Sequence, residues 1–248
     1  MKNNEKNYEN TVENAVFLFV FMVLYYRITK GVCFMRMRKK SWALPFLEEH
    51  REYVLNNPSE FKGKWRELLG ISDGLLHVEI GCGKGDYFLS MRELYPNDGF
   101  VAIEKDSNCA AVAAKKALNQ DHDRTVMINM DAVSIDEWFD AGEIDVIHLN
   151  FSDPWPKKNH TKRRLSHGTF LAKYASLLKE DGILAMKSDN KSLFEYSVLE
   201  FMREGWNLKE FSVDFDSVAN KDAVTEYESR FKELGQPIYR LAVSKPLK

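Results

Sequence analysis

The sequence predicts an α/β fold built on a mostly parallel sheet. Three observations carry the prediction. Apolar runs of strand length recur along the chain, at Leu75 to Ile80, Phe100 to Ile103, Val126 to Met130, Val146 to Phe151 and Ile183 to Met186. Between them, Asp86 to Tyr95, Ser107 to Asn119, His167 to Leu178 and Ser192 to Glu204 show apolar residues at helical spacing. The first run ends in a glycine-rich turn, where a strand would hand over to a helix. Strands alternating with helices close a parallel sheet through right-handed crossovers.

Taken in order, the first 34 residues differ from the rest. Met1 to Asn14 is polar and rich in Asn and Glu, and Ala15 to Tyr26 is uncharged and apolar or aromatic. A bilayer span needs about 20 apolar residues, so this run is short for one. Glu5, Glu9 and Glu13 precede it, and no A-x-A-like cleavage site follows, unlike a signal peptide. Three readings fit: a membrane or export segment, a buried or interfacial helix, or residues upstream of a true start at Met35. The last is the expectation adopted, because Lys30-Gly31-Val32 can be encoded AAA-GGA-GTN, a purine-rich ribosome-binding sequence just ahead of the Met35 codon. The organisation expected is therefore an extension over 1–34 and one domain over 35–248.

From Met35 onward each element has its own signal. Leu75 to Ile80 is a continuous apolar run, as a strand covered on both faces requires. The three runs that follow and Ile183 to Met186 repeat the pattern. Leu208 to Asp216 and Ile238 to Ser244 read as two further strands. The polar stretch Ser217 to Gln236 between them reads as a loop, and a loop of that length in a compact domain is more often functional than accidental. There is no internal repeat.

Composition limits the function. The 248 residues are 44% hydrophobic and 29% charged with a net charge of −2, which is a soluble globular composition. Near-neutrality excludes a uniformly basic nucleic-acid binder, so any such affinity must be local. Three cysteines, Cys33, Cys82 and Cys109, without a C-x-x-C pair, speak against a disulfide scaffold or a cysteine-rich metal site and for a reducing, cytoplasmic setting. No metal is expected. Either a monomer or a homodimer is compatible with the sequence.

The most informative local pattern is Glu79-Ile-Gly81-Cys-Gly83-Lys-Gly85 at the first strand-to-helix turn. A dinucleotide fingerprint would place a third glycine where Asp86 stands, and no G-x-x-x-x-G-K-[ST] phosphate loop is present. With no pyrophosphate to cradle, acids on both sides of the glycines suit a ligand carrying positive charge, and S-adenosylmethionine fits. Glu104, ending the second strand, is placed for ribose hydroxyls, and Asp131, after the third, for an adenine amino group. Against this stands a plain turn with solvated strand-end acids, disfavoured because Glu79, Glu104, Asp131 and Asp153 end four successive strands.

After the fourth strand comes Asn150-Phe-Ser-Asp153-Pro-Trp155-Pro-Lys157-Lys158. A proline-stiffened loop with an acid and an aromatic suits a planar base, and in open α/β sheets it faces the ligand crevice. The plain alternative makes Trp155 a core residue and Asp153 a helix cap. Next to it, Lys157, Lys158, His160, Lys162, Arg163 and Arg164 concentrate positive charge beside the expected reaction centre, where phosphate contacts would set register. Arg36, Arg38, Lys39 and Lys40 form a second basic cluster within reach of the same polyanion.

From Met35 to Pro246 the chain resembles the bacterial tRNA (guanine-N7-)-methyltransferase family. The resemblance rests on Met35-Arg-Met-Arg-Lys-Lys40, Glu79-Ile-Gly-Cys-Gly-Lys-Gly85, Leu149-Asn-Phe-Ser-Asp-Pro-Trp-Pro-Lys-Lys158, Lys162-Arg-Arg-Leu165, Lys187-Ser-Asp-Asn190, Thr225-Glu-Tyr-Glu228 and Gly235-Gln-Pro-Ile-Tyr-Arg240. It implies a Rossmann-like class I methyltransferase fold, a seven-stranded, mostly parallel sheet with the last strand antiparallel and helices on both faces. It implies S-adenosylmethionine held by Glu79, Gly81, Gly83, Gly85, Glu104, Asp131 and Asp153, with Asp153 also the active-site acid. It further implies that Lys157, Asp189, Thr225, Glu226, Tyr227 and Glu228 hold the substrate and that Asn159, His160, Thr161, Lys162, Arg163 and Arg164 touch tRNA. The product would be 7-methylguanosine in the variable loop. Ser188 stands where Thr is the more usual residue, and residues 1–34 match nothing in the family.

The expected chemistry agrees with these residues. Guanine N7 already has a lone pair, so no proton must leave before methyl transfer, and catalysis can rest on positioning. Asp153 and Asp189 can grip the guanine amino group and ring N–H and offset the charge that develops on the ring. A methyltransferase for another RNA or a small molecule is the competing enzyme, but a small molecule has no use for two basic clusters. A non-catalytic RNA-binding module has no reason to keep the glycines together with Asp153, Asp189 and Glu228.

Overall fold

The computed structural model describes residues 39–246. The apolar run, Met35, Arg36 and Arg38 lie outside the described residues, as does the side chain of Glu226.

The chain enters as α1 (Ala43–Glu49), β1 (Val54–Leu55) and the single turn α2 (Trp65–Leu68). It then alternates: β2 (Leu76–Ile80), α3 (Asp86–Leu94), β3 (Gly99–Ile103), α4 (Ser107–Leu118), β4 (Thr125–Ile128), the single turn α5 (Ile135–Trp138), β5 (Ile144–Asn150), α6 (Gly168–Leu177), β6 (Leu178–Ser188) and α7 (Lys191–Arg203). The last elements are β7 (Asn207–Ser212), α8 (Glu226–Glu233) and β8 (Tyr239–Ser244).

The strands form one sheet in the order β1-β4-β3-β2-β5-β6-β8-β7. All neighbours run parallel except those of β8, which is antiparallel to both β6 and β7. The sheet thus has the expected polarity, with β8 inserted ahead of β7. It holds eight strands where the resemblance implies seven. The extra one, β1, pairs Val54 with Met127 and Leu55 with Ile128, and two residues are too few to leave a periodic trace.

Each of β2, β3 and β4 is buried along its whole length, because helices cover both faces. Side chains of β3 alternate between two cores: Val101 and Ile103 join one with Val78, Ile80, Trp138 and Leu149, while Phe100 and Ala102 join another with Phe88 and Met127. In that second core α4 presents Ala110, Ala111, Ala113, Ala114 and Ala117, all fully buried, and so lies close against the sheet. Its N-terminus is fixed by Asp106, whose carboxylate accepts from the backbone N–H of Asn108 and Cys109.

Three features depart from expectation. β7 stops at Ser212, four residues short of the expected Asp216. β6 begins at Leu178, ahead of the polar Lys179-Glu-Asp-Gly182 stretch, whose Glu180 and Asp181 are exposed at the start of the strand and so tolerate charge. The segment 217–236, expected as loop, contains α8, a helix with little apolar content that packs through Phe231 against Phe215 and Ile238.

Candidate active site

Parallel register brings the carboxyl ends of β2, β3, β5 and β6 to one edge: Ile80 pairs with Ile103, Glu79 with His148, and Asn150 with Lys187. Ligands of open α/β sheets bind along this edge. Gly81, Gly83 and Gly85 have φ of 81°, 56° and 84°, a left-handed run that side chains resist. A Cβ on Gly85 would come within 2.8 Å of Phe88 and 2.9 Å of Ala113, so this glycine allows helix packing. Around Gly81 and Gly83 a Cβ would meet nothing within 4 Å, which leaves their backbone open to a ligand.

Two of the acids at this edge, Glu79 and Glu104, are buried. Glu79 is 4% exposed, and burial pushes its carboxyl up to about 7. Its Oε1 accepts from Asn150 Nδ2 at 3.0 Å, while Glu79 Oε2 and Asn150 Oδ1 are buried acceptors without a hydrogen-bond donor among the described residues. Orphaned acceptors of this kind are costly and call for a donor, best a cationic one. An ammonium-bearing cofactor such as S-adenosylmethionine fits that requirement. Asn150 was not singled out by sequence; its role comes from the pairing of β5 with β2. Glu104 accepts from the N–H of Gly83 at 2.9 Å and of Asp106 at 2.8 Å, and burial raises its carboxyl. It therefore links the glycine loop to the start of α4. Asp131 is exposed and caps the turn Ala132–Ser134, accepting from Val133 N–H at 3.1 Å.

The loop after β5 is bent at both ends of its acid. Phe151 and Trp155 have φ of 50° and 41°, in a region few non-glycine residues occupy. Asp153 between them is half-buried and makes no side-chain hydrogen bond or ion pair among the described residues. Arg164 holds the bend: its Nε donates to Pro154 O at 2.9 Å and its Nη2 to Trp155 O at 3.2 Å, with the guanidinium 4.2 Å from the Tyr196 ring centre. Residues Lys158–Arg163 form a short 3-10 helix in which Lys158, Asn159, Lys162 and Arg163 are exposed. His160 meets Trp155 edge-on, and Thr161 donates to Lys158 O. Lys157, just before this helix, is exposed.

Asp189 follows β6, half-buried, its carboxyl raised by burial. Two residues earlier, Lys187 is fully buried and anchors the late segment. Its Nζ donates to Ala223 O at 2.7 Å, Glu228 Oε2 at 3.0 Å and Ser217 Oγ at 3.2 Å, and lies 3.3 Å from Asp222. Asp222 also takes Tyr87 O–H at 2.7 Å and Arg240 at 2.9 Å, so the buried Lys187 and the half-buried Arg240 face two buried carboxylates. Thr225 caps α8 by accepting from Glu228 N–H at 2.9 Å. Glu228 is thus turned inward, while Tyr227 is exposed and stacks on Phe151, ring centres 6.2 Å apart. The late segment in this way touches both the bent loop and the end of β6.

A methyltransferase family model, Methyltransf_4, matches residues 73–241. The tRNA (guanine-N(7)-)-methyltransferase of Oceanobacillus iheyensis is 41% identical over 207 residues, 83% of this chain and 97% of that protein. The Bacillus subtilis protein of the same description is 40% identical over 210 residues, 84% of this chain and 98% of its own length. The chain belongs to the tRNA (guanine-N(7)-)-methyltransferase family. Among solved structures, an antibiotic-related methyltransferase superposes with a TM-score of 0.55 at 16% identity, covering 75% of this chain and 94% of that one. A 16S ribosomal RNA methyltransferase gives 0.55 at 13% identity, with coverage of 74% and 94%. These two establish the class I methyltransferase fold alone. As a tRNA (guanine-N(7)-)-methyltransferase family member, the chain brings Glu79, Glu104 and the glycines together in one cluster. It links Thr225, Tyr227 and Glu228 to the loop carrying Asp153, and keeps Lys157 and Asn159 at the surface.

Proposed function

We propose that the chain transfers the methyl group of S-adenosylmethionine to N7 of a guanine in the variable loop of tRNA, giving 7-methylguanosine. The family relationship supports the reaction and the donor. The observation that carries the residue roles is the pair of half-buried acids, Asp153 and Asp189, following adjacent strands beside the orphaned acceptors of Glu79 and Asn150. When bound, S-adenosylmethionine supplies an electrophilic methyl group: its sulfur–carbon bond breaks as the carbon–N7 bond forms, and positive charge passes from sulfur to the guanine ring.

The chain's own residues then act by holding. Glu79 and Asn150 take the ammonium end, Glu104 the ribose side, and Asp131 the base. Asp153 and Asp189 accept from the guanine amino group and ring N–H, which turns the N7 edge toward the donor and offsets the growing charge. No general base is required, because N7 has no proton to lose, and positioning supplies the acceleration. Tyr227 and Thr225 close the base side, and Lys162, Arg163 and Lys157 engage phosphates. The working unit is residues 35–248, acting in the cytoplasm where tRNA is processed.

The test is direct. Purified protein, labelled S-adenosylmethionine and total tRNA should give label at guanine N7 in the variable loop, located by cleavage at 7-methylguanosine. Label on another base or only on a small molecule overturns the reading.

A further inference from the structure

From Arg163, inside the 159–164 run, cations and aromatic rings continue beyond that run as one connected strip. Arg163 lies 4.9 Å from the ring centre of Trp155, and Lys105 Nζ lies 5.6 Å from the same centre. Lys105 follows β3 and Trp155 follows β5, strands that flank β2, so this contact crosses above the glycine loop. Lys105 leads directly into α4, and Asn108 in its first turn accepts from Lys40 N–H at 2.7 Å. Lys40 Nζ is then 5.8 Å, and Lys115 Nζ 5.3 Å, from the ring centre of Trp42, itself 37% exposed.

Among the described residues none of Lys40, Lys105, Lys115 or Arg163 has a carboxylate within ion-pair distance. Asp106, the acid inside the strip, is turned into the helix start, accepting from Asn108 and Cys109. Among the described residues these cations are thus left without an ion pair along a path from the bent loop down one side of α4. At 1.5 Å per residue, Lys105 to Lys115 spans about 15 Å, room for a few successive phosphates of one strand.

We infer that this strip, Arg163–Trp155–Lys105–Lys40–Trp42–Lys115, is a second tract of the tRNA interface, carrying the RNA strand past Asp153 and along α4. Lysines take phosphates, and the two indoles offer stacking faces to unpaired bases, the combination single-stranded RNA selects. The inference rests on the tRNA reading of the same site.

The test replaces Lys40, Lys105 and Lys115 together with Ala and titrates tRNA binding against salt. Affinity should fall about ten-fold or more near 0.1 M salt, and the slope of log K against log salt should become shallower by about two to three. Cofactor affinity, kcat at saturating tRNA and the guanine modified should stay as in the unaltered protein. Trp42→Ala should weaken binding about five-fold or more, and Trp42→Phe should restore most of it. Lys64→Ala/Lys173→Ala/Lys209→Ala serves as an equal change of charge elsewhere. The inference is overturned if the strip variant keeps the original slope, if the comparison variant weakens binding as much, or if Trp42→Ala binds normally. Should the unaltered protein fail to methylate guanine N7, the underlying reading fails; if it methylates and the strip variants bind as it does, the strip alone fails.

Discussion

Asp153 lies between two backbone positions of positive φ, each costing about 1–3 kcal/mol, and the contacts of Arg164 and Phe231 keep that bend in place. Since its carboxylate supports no other side chain, Asp153→Ala should keep the fold and most tRNA affinity yet lose about 10²–10³-fold in methyl transfer. Near-normal turnover would remove Asp153 from the mechanism; loss confined to cofactor binding would make it a binding residue only. Glu79 predicts a pH effect. Its carboxyl moves from 4.5 to about 7 on burial, so between those values the ligand-free native state keeps a proton the unfolded chain has released. Stability without ligand therefore falls as pH rises through that window. A cation at Oε2 favours the carboxylate, so cofactor affinity should rise from about pH 5 to pH 7 and level off above. Calorimetric titration across pH checks this, and Glu79→Gln should bind weakly with a flat profile. The strand-end acids were legible because an acid after each apolar run is a local signal. Asn150 was not, because its partner Glu79 is 71 residues away and only the β2–β5 register brings them together. Arg164 reads in sequence as part of a basic run, and only the loop's carbonyls reveal its use as a clamp.

At the scale of elements, the buried Lys187 is what joins β6 to the segment 217–228. Removing one partner of a buried pair costs about 3–5 kcal/mol, so Lys187→Met should lower stability by that order, while Lys187→Met with Glu228→Met should recover part of it. If the pair also sets the position of Thr225 and Tyr227, Glu228→Gln should raise KM for tRNA more than it changes cofactor affinity. Equal loss of both, with unchanged unfolding midpoint, would contradict an anchoring role. The basic turn divides in a similar way. Lys162→Ala/Arg163→Ala should weaken tRNA binding and flatten its salt dependence by about one to two in slope. Arg164→Ala should instead leave the salt slope nearly intact and lower kcat, because it frees the Pro154 and Trp155 carbonyls. An Arg164→Ala variant that behaves like the double variant would show that its donors serve RNA. The major strands and helices were readable from periodicity, since each buries its own stripe or run. β1 is too short for that, and α8 has its apolar contacts at Phe231 and little else, so it reads as a polar loop until β8 and Phe215 provide something to pack against.

At the scale of the whole molecule, a net charge of −2 conceals a segregated surface. Many of the carboxylates are engaged, as in Asp145 with Arg66 and Lys179, Asp86 with Lys116 of α4, or Glu200 with Arg203, while among the described residues Arg163, Lys105 and Lys115 have no such partner. That imbalance, invisible in the total, is what a polyanion would sense first. The family model needs only residues 73–241. The Oceanobacillus relative is matched over 97% of its length by 83% of this chain. The methyltransferase unit is therefore expected to stand without residues 1–34, whose apolar stretch is short for a bilayer span. Protein beginning at Met35 should show the same unfolding midpoint, and kcat/KM within about two-fold, as for changes outside a packed core. Peptide mapping of the protein from its own cells should recover nothing upstream of Met35 if translation starts there. A larger loss of activity would assign the leading residues a part in binding. Recovery of upstream peptides, above all from a membrane fraction, would make them an anchor and overturn a start at Met35.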